Sequence, residues 1–392
     1  MPPLVEVARA EARTAGFHAV GITRPDPSEH ATFYRRWLDE GFHGGMGYLA
    51  REDAVRRRED PRRSFEAARS VIVVAHEYGE GGEGAAPTSV DSHGGVPPDR
   101  GIIARYARGR DYHHVVLEGL HAILRALDEH ARARGIENGV TGRAYVDTGP
   151  LLERELGRRA GLGWFGKNTM LIHPKRGSYF LLGALLVDIE LPADSPFEAD
   201  RCGSCRACLD ACPTDALLGR DDTGAPTLDA TRCISYWTIE TRDPIPLDLR
   251  PAFGNRIFGC DICQEVCPWT RKFAAGRAVP EDYGPKEWPG DRDGDPPVPS
   301  LDGPDLVELT ERVFAMSGKE YQRVFADSPL ARPGRKGMLR NLCVALGNYA
   351  AMSREAAERV RPVLERAAED PSEPVREHAR WALSFVGRGR RP

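Results

Sequence analysis

The chain has 392 residues, 41% of them hydrophobic and 29% charged, with a formal net charge of −4. That length suits two or three domains, and no apolar run is long enough to cross a bilayer as a helix. The charge is uneven. From Ala331 onward thirteen Lys/Arg stand against seven Asp/Glu, so the tail carries +6 and the first 330 residues −10. Such asymmetry points the tail toward a polyanion, with a solvated helical surface as the plain alternative.

The N-terminal MPPLVEVARAEARTAGF reads as an amphipathic helix and not as a signal sequence, so a reducing cytoplasm is expected. Residues 1–78 then read as helix, strand, helix, strand: HAVGI ends the first strand and SVIVVAH (Ser70–His76) is a buried one. The Gly-, Pro- and Ser-rich stretch 79–101 is a loop or an insertion. Segment 101–116, GIIARYARGRDYHHVV, gathers Arg105, Tyr106, Tyr112 and His113. A metal reading of the His113–His114 pair is weak, because adjacent helical residues point to different faces. A long helix follows over about 112–134.

Segment 143–172, RAYVDTGPLLERELGRRAGLGWFGKNTMLI, places Asp147 at the end of a predicted strand, ahead of Pro150. Two readings account for that position. A carboxylate at a strand edge can face a cleft and act as an acid or a ligand contact. Alternatively Asp147 or Thr148 caps a helix that has Pro150 in its first turn. Gly161, Gly163 and Gly166 match the G-x-G-x-x-G dinucleotide pattern, but no strand directly precedes them. They read instead as backbone that lets something large and flat approach, with Lys167 and Asn168 at its polar edge, or as a tight turn. Strands around TMLIHP and YFLLGALLVDI form a pair, so residues 1–195 read as an α/β domain.

Residues 196–275 hold eight of the nine cysteines. Cys202-x2-Cys205-x2-Cys208-x3-Cys212-Pro213 has the ferredoxin spacing, in which three thiolates hold one [4Fe–4S] cluster and the fourth serves another. Cys260-x2-Cys263-x3-Cys267-Pro268 lacks its middle cysteine, and Cys233 is the free candidate to replace it. Cluster one is therefore assigned Cys202, Cys205, Cys208 and Cys267, and cluster two Cys212, Cys233, Cys260 and Cys263. Zinc also uses C-x2-C pairs, but rarely three deep and twice ending in Cys-Pro. Disulfides would need an oxidising compartment. Cys343 lies in an apolar run and reads as a core thiol. Ser235 and Tyr236 follow a ligand directly, and Asp261 sits between two others. Residues 276–300 read as a linker. In 301–392, GMLRNLCVALGNYA and VREHARWALSFVG suggest α-helical HEAT-like repeat pairs.

RYARGRDYH, VDTGP, GLGWFGKNT, CISYWTIE, GNRIFGCDICQEVCPW, LRNLCVALGN and VREHARWAL, in this order with the cysteine runs, resemble the epoxyqueuosine reductase family. The resemblance spans nearly the whole chain. It implies cobalamin held between the α/β domain and a ferredoxin-like two-cluster domain. It also implies reduction of epoxyqueuosine to queuosine at the wobble position of tRNA, and a catalytic core similar to reductive dehalogenases. By motif match it makes Asp147 the proton donor and places cobalamin contacts at Tyr106, Lys167, Asn168, Ser235, Tyr236 and Asp261, with Arg58 as a further candidate. Departures from the family pattern are the long 79–101 loop and Phe165, where an aliphatic residue is commoner. The mechanism expects burial to lift the Asp147 pKa toward neutrality. Arg332, Arg335, Lys336, Arg340, Arg388, Arg390 and Arg391 are the expected tRNA phosphate contacts. The remaining expectations are a monomer, an external electron donor and no membrane. A reductive dehalogenase and a plain electron-transfer protein are the competing readings.

Overall fold

The computed structural model describes residues 1–79, 96–274, 276–287 and 303–386. The chain opens with helix α1 (Leu4–Thr14), strand β1 (Ala19–Thr23), helices α2 (Ala31–Asp39), α3 (Gly47–Ala50) and α4 (Glu52–Glu59), and strand β2 (Ser70–Glu77). Strand β3 (Ile102–Ile103), the long α5 (Tyr112–Arg132), β4 (Gly142–Tyr145), α6 (Glu153–Arg159), a hairpin of β5 (Trp164–Phe165) and β6 (Leu171–Ile172), and β7 (Phe180–Val187) follow.

The central sheet runs β1-β2-β7-β4, and every neighbouring pair is antiparallel. All eight residues of β2 are buried. Alternate side chains of a strand point to opposite faces, so Ile72 and Val74 join one core with Phe17, Val116, Leu120 and Ile123, beneath α1 and α5. Val71 and Val73 join the other with Leu156, Ala160 and Leu162, beneath α6. Helices thus cover both faces of the sheet, as the helix–strand alternation suggested, but its strands are antiparallel. TMLIHP pairs with Trp164–Phe165 and not with β7, because its short β6 turns back on the glycine-rich hairpin.

The cysteine-bearing region contains α7 (Ala207–Asp210), β8 (Leu217–Arg220), β9 (Pro226–Leu228), α8 (Ile234–Ile239), β10 (Arg256–Phe258), α9 (Ile262–Glu265) and α10 (Pro268–Ala274). Its elements are short. β10 pairs in parallel with β3, which ties segment 101–116 to the cysteine region. The tail is helical: α11 (Leu306–Ala315), α12 (Gly318–Val324), α13 (Gly334–Ala350), α14 (Arg354–Ala367) and α15 (Glu373–Leu383). Helix α13 is its hub, touching α11, α12, α14 and α15 and also α8 and β10. The tail's apolar core takes in Ile103, Ala107, Ile257 and Phe258 as well. The linker reading for 276–300 falls largely on residues outside the described set, as do residues 80–95 of the long loop. No described helix is long and apolar enough to cross a membrane.

Candidate functional site

A cavity of about 360 Å³ lies between the sheet domain and the cysteine region. One wall carries Tyr106, Tyr112, Asp147, Glu153 and Arg154; the other carries Cys212, Cys233, Ser235, Cys260, Asp261 and Cys263.

The acid wall is positioned by helix α5. Asp111 caps that helix by accepting the His113 backbone N–H at 2.9 Å, and the same Oδ1 lies 2.7 Å from Nδ1 of the His113 ring. One residue thus starts the helix and aims the imidazole. The His113 ring stacks on Tyr112 with centroids 4.1 Å apart. The Tyr112 hydroxyl donates to Asp147 Oδ2 at 2.7 Å, and His113 Nε2 stands 3.6 Å from the same oxygen. Asp147 has φ of +49°, a left-handed conformation that a non-glycine residue adopts at a cost and that clusters at functional sites. Its side chain is 67% exposed, and that exposure is to the cavity it lines. The cap reading fails: α6 begins at Glu153 with Leu152 at its N-cap and no side-chain cap, so Pro150 stands ahead of the helix.

The charges settle differently from expectation. Burial pushes the Asp147 pKa up, but the close approach of the His113 imidazole, the hydrogen bond from Tyr112 and the Arg154 charge outweigh it, and the carboxyl is held below its ordinary value. His113 moves the other way. Burial lowers it, yet its two carboxylate neighbours, Asp111 and Asp147, lift it to about 9. Near neutral pH the proton therefore sits on the imidazole. Glu153 is raised to about 8, by burial and by the nearby Asp147 charge, and among the described residues its buried Oε1 has no hydrogen-bond partner. Arg154 anchors on the Thr169 carbonyl at 2.6 Å.

The cysteines gather on the opposite wall and just behind it. Cys212, Cys233, Cys260 and Cys263 all line the cavity, and the Cys263 thiol feels Cys260 and Cys233 most strongly among its neighbours. Cys208 is pushed up to about 11 by burial and by Cys202, Cys267 and Cys205. Cys202 and Cys267 pack with Trp164, Trp269 and Phe197. Among the described residues no three His, Cys, Asp or Glu side chains close on a single metal ion; a four-iron cubane takes its thiolates from around a larger volume.

The other expected contacts divide. Tyr106, Asn168, Ser235 and Asp261 line the cavity. Asn168 donates to the Cys263 carbonyl at 3.1 Å, and Asp261 accepts the Arg105 backbone N–H at 2.8 Å. Lys167 and Tyr236 are not on the lining. Lys167 turns to the cluster-one loop, donating to the carbonyls of Gly203 and Cys205 at 2.6 and 2.9 Å. The Tyr236 hydroxyl accepts the Gly45 N–H at 2.6 Å. Arg58 is buried, with its guanidinium over Tyr34 and its charge acting on Glu153 from behind. The glycines of 161–166 do not face a ligand. A Cβ on Gly163 would lie 2.1 Å from the Ile172 carbonyl oxygen, so that glycine lets the hairpin close on itself.

The tail cations divide too. Arg340 is 1% exposed. It donates to the carbonyls of Thr241 and Asp243 at 2.9 and 2.8 Å and also to that of Trp237. Arg335 donates to the Met316 carbonyl at 2.7 Å and pairs with Asp370. Neither can reach a phosphate, because their donors hold the fold together. Arg332 and Lys336 are exposed, while Arg388, Arg390 and Arg391 lie outside the described residues. The sequence reading underused Tyr112 and His113 and missed Glu153 and Arg154. RDYH and LLER carried them, but no spacing rule marks residues that meet only across the sheet.

Comparisons with known proteins give the family. A family model described as a 4Fe-4S double cluster binding domain matches residues 201–270, and one described as epoxyqueuosine reductase QueG, DUF1730, matches 58–148. The chain is 40% identical to an epoxyqueuosine reductase of Pseudomonas aeruginosa over 96% of its length and 92% of the relative's. It is 38% identical to the Escherichia coli enzyme over 94% of this chain and 86% of that one. A crystal structure of epoxyqueuosine reductase with an epoxyqueuosine-modified tRNA-Tyr stem loop superposes with a TM-score of 0.75 at 28% identity, covering 98% of this chain and 90% of that one. The Streptococcus thermophilus enzyme gives 0.74 at 26%, with the same coverage.

Proposed function

The chain belongs to the epoxyqueuosine reductase family, and from that premise we propose that it reduces epoxyqueuosine to queuosine in the anticodon loop of tRNA. One observation carries the reading: an acid group and a set of four cluster thiols face each other across a single cavity. Removing an epoxide oxygen as water consumes two electrons and two protons, and the two walls supply one kind each. A plain electron-transfer protein would have no use for the acid wall.

The cavity residues fit a cobalamin. Apolar Met170, Leu181, Leu182 and Ile262 offer a flat macrocycle its faces, and Asn168, Arg154, Ser235 and the unpartnered Glu153 Oε1 offer hydrogen bonds to its amide fringe. When bound, cobalamin would supply a strong two-electron reductant, and the eight assigned cysteines would hold two [4Fe–4S] clusters, which carry electrons singly. The protein's part is proton handling. His113, charged near neutral pH, passes its proton to Asp147 Oδ2. Asp147 delivers it to the departing oxygen, and Tyr112 fixes the carboxylate's angle. Asp111 keeps the imidazole aimed and its proton replaceable. Glu153, largely protonated near neutral pH and lining the same cavity, is a further acid for the second proton.

The domain division follows these roles: 1–195 handles cofactor and acid, 196–275 the clusters, and 301–392 forms a HEAT-like helical unit that presents Arg332 and Lys336 to RNA. The protein acts in the cytoplasm as a monomer and draws electrons from an external donor. The deciding experiment incubates the cofactor-loaded protein and a chemical reductant with a stem loop carrying epoxyqueuosine. Mass spectrometry of the released nucleosides should show the modified base losing one oxygen; an unchanged base would refute the reading.

A further inference from the structure

Tyr48 stands outside everything described so far. It is the one tyrosine, tryptophan or phenylalanine among the described residues that counts as exposed, at 43% of the whole residue. It sits on the single-turn helix α3 within GGMGYL, and that turn is pinned at both ends. Tyr236 holds Gly45 from below, and a Cβ on Gly44 would lie 2.6 Å from the Tyr236 hydroxyl. The Tyr34 hydroxyl donates to the Leu49 carbonyl at 2.9 Å. An exposed ring on a clamped turn loses little freedom on binding a partner.

Its neighbours come from the other two regions. The Arg332 guanidinium lies over the Tyr48 ring, 5.8 Å from its centroid. Glu240, just past α8, accepts from Arg332 at 2.8 Å and from the Tyr48 hydroxyl at 3.3 Å. Arg242 donates to the Arg332 carbonyl, and the two like charges press on each other. The site is close to the reaction centre: the Asp147 charge acts on both Tyr48 and Arg332. An exposed ring, two crowded guanidiniums and the reacting carboxylate thus share one rim.

We propose that Tyr48, backed by Arg332, is the stacking platform for the nucleotide next to the base being reduced. This rests on the tRNA reading above. A base drawn out of its loop leaves a neighbour with one bare face, and proteins cover such faces with aromatic rings and guanidinium planes. The Arg332 guanidinium, 47% exposed beside Glu240, meets the adjoining phosphate.

The test is fluorescence anisotropy of a labelled epoxyqueuosine stem loop on cofactor-loaded enzyme at several salt concentrations. Tyr48→Ala should weaken binding by roughly tenfold without changing the salt slope, and Tyr48→Phe should bind within about twofold of wild type, since stacking needs a ring and not a hydroxyl. Arg332→Ala should lower the salt slope by about 1. Stem loops abasic on one or the other side of the wobble base complete the cycle. On one side the loss should match that of Tyr48→Ala, and the two losses should not add. A Tyr48→Ala enzyme that binds like wild type, or losses that add fully on both sides, overturns the platform. If wild type itself leaves the stem loop unconverted, the functional reading falls and the platform with it; conversion with an indifferent Tyr48 removes the platform alone.

Discussion

The two walls of the cavity are built by opposite means. The acid wall hangs on a 21-residue helix and a sheet buried on both faces, so its groups are set by a large apolar core. The thiol wall rests on elements of three to six residues, and its own core of Ile234, Ile245, Leu249 and Phe253 also needs Val344 from the tail. The lesson is that electrons and protons are handled by regions of different robustness. The thiol side borrows part of its small core from the tail, whereas the acid side stands on the sheet domain's own cores and meets the tail at polar contacts such as the Asp111 N–H on the Asp327 carbonyl.

Substitutions on each wall can break or sharpen that contrast. The largest effect is expected from Cys233→Ala, which should take iron content down toward a single cluster and abolish turnover; a full complement of about eight irons would refute Cys233 as a cluster ligand. Asp147→Asn should keep iron and cobalamin content, read from the visible spectrum, while slowing turnover by roughly 10²-fold or more. Wild-type-like turnover would remove Asp147 from the reaction.

His113→Gln should cost less, roughly tenfold, because solvent can still protonate Asp147 slowly. Its diagnostic is the pH profile. The His113 pKa is raised to about 9, so the charged form is present below that value and wild-type activity should fall as pH rises through it. The stability from the same pairing follows the same sign: complete below the unfolded value of about 6.5 and lost as pH climbs through about 9. An alkaline limb that persists in His113→Gln would assign it to another group.

Arg340→Met should have the smallest effect on the reaction and a clear one on the fold. It leaves the carbonyls of Trp237, Thr241 and Asp243 short of a donor at the end of the helix that begins after Cys233. Thermal unfolding should shift down by a few degrees, as expected for a loss of about 1–3 kcal/mol, with the salt dependence of RNA binding unchanged. A changed salt slope would restore Arg340 to the phosphate contacts.

The two-cluster domain was legible because cluster ligation imposes fixed spacings; the place given to Cys233 rests on counting. Asp147 was legible only as one of two readings until the start of α6 at Glu153, with Leu152 at its N-cap, excluded a helix cap. Lys167 and Arg340 misled for one reason. A cation in sequence carries no sign of whether its donors are already taken, here by Gly203 and Cys205 or by the end of α8.

The sequence by itself determined the redox chemistry, the strand β2, the helix over 112–132 and the helical tail, since each rests on local spacing or periodicity. Only the tertiary structure decided where the proton rests. His113 and Asp147 are 34 positions apart, and their pKa values depend on distance, burial and bond geometry that no spacing encodes. It also decided which arginines are free, because hydrogen bonds to backbone carbonyls are made in space and leave no pattern in the chain.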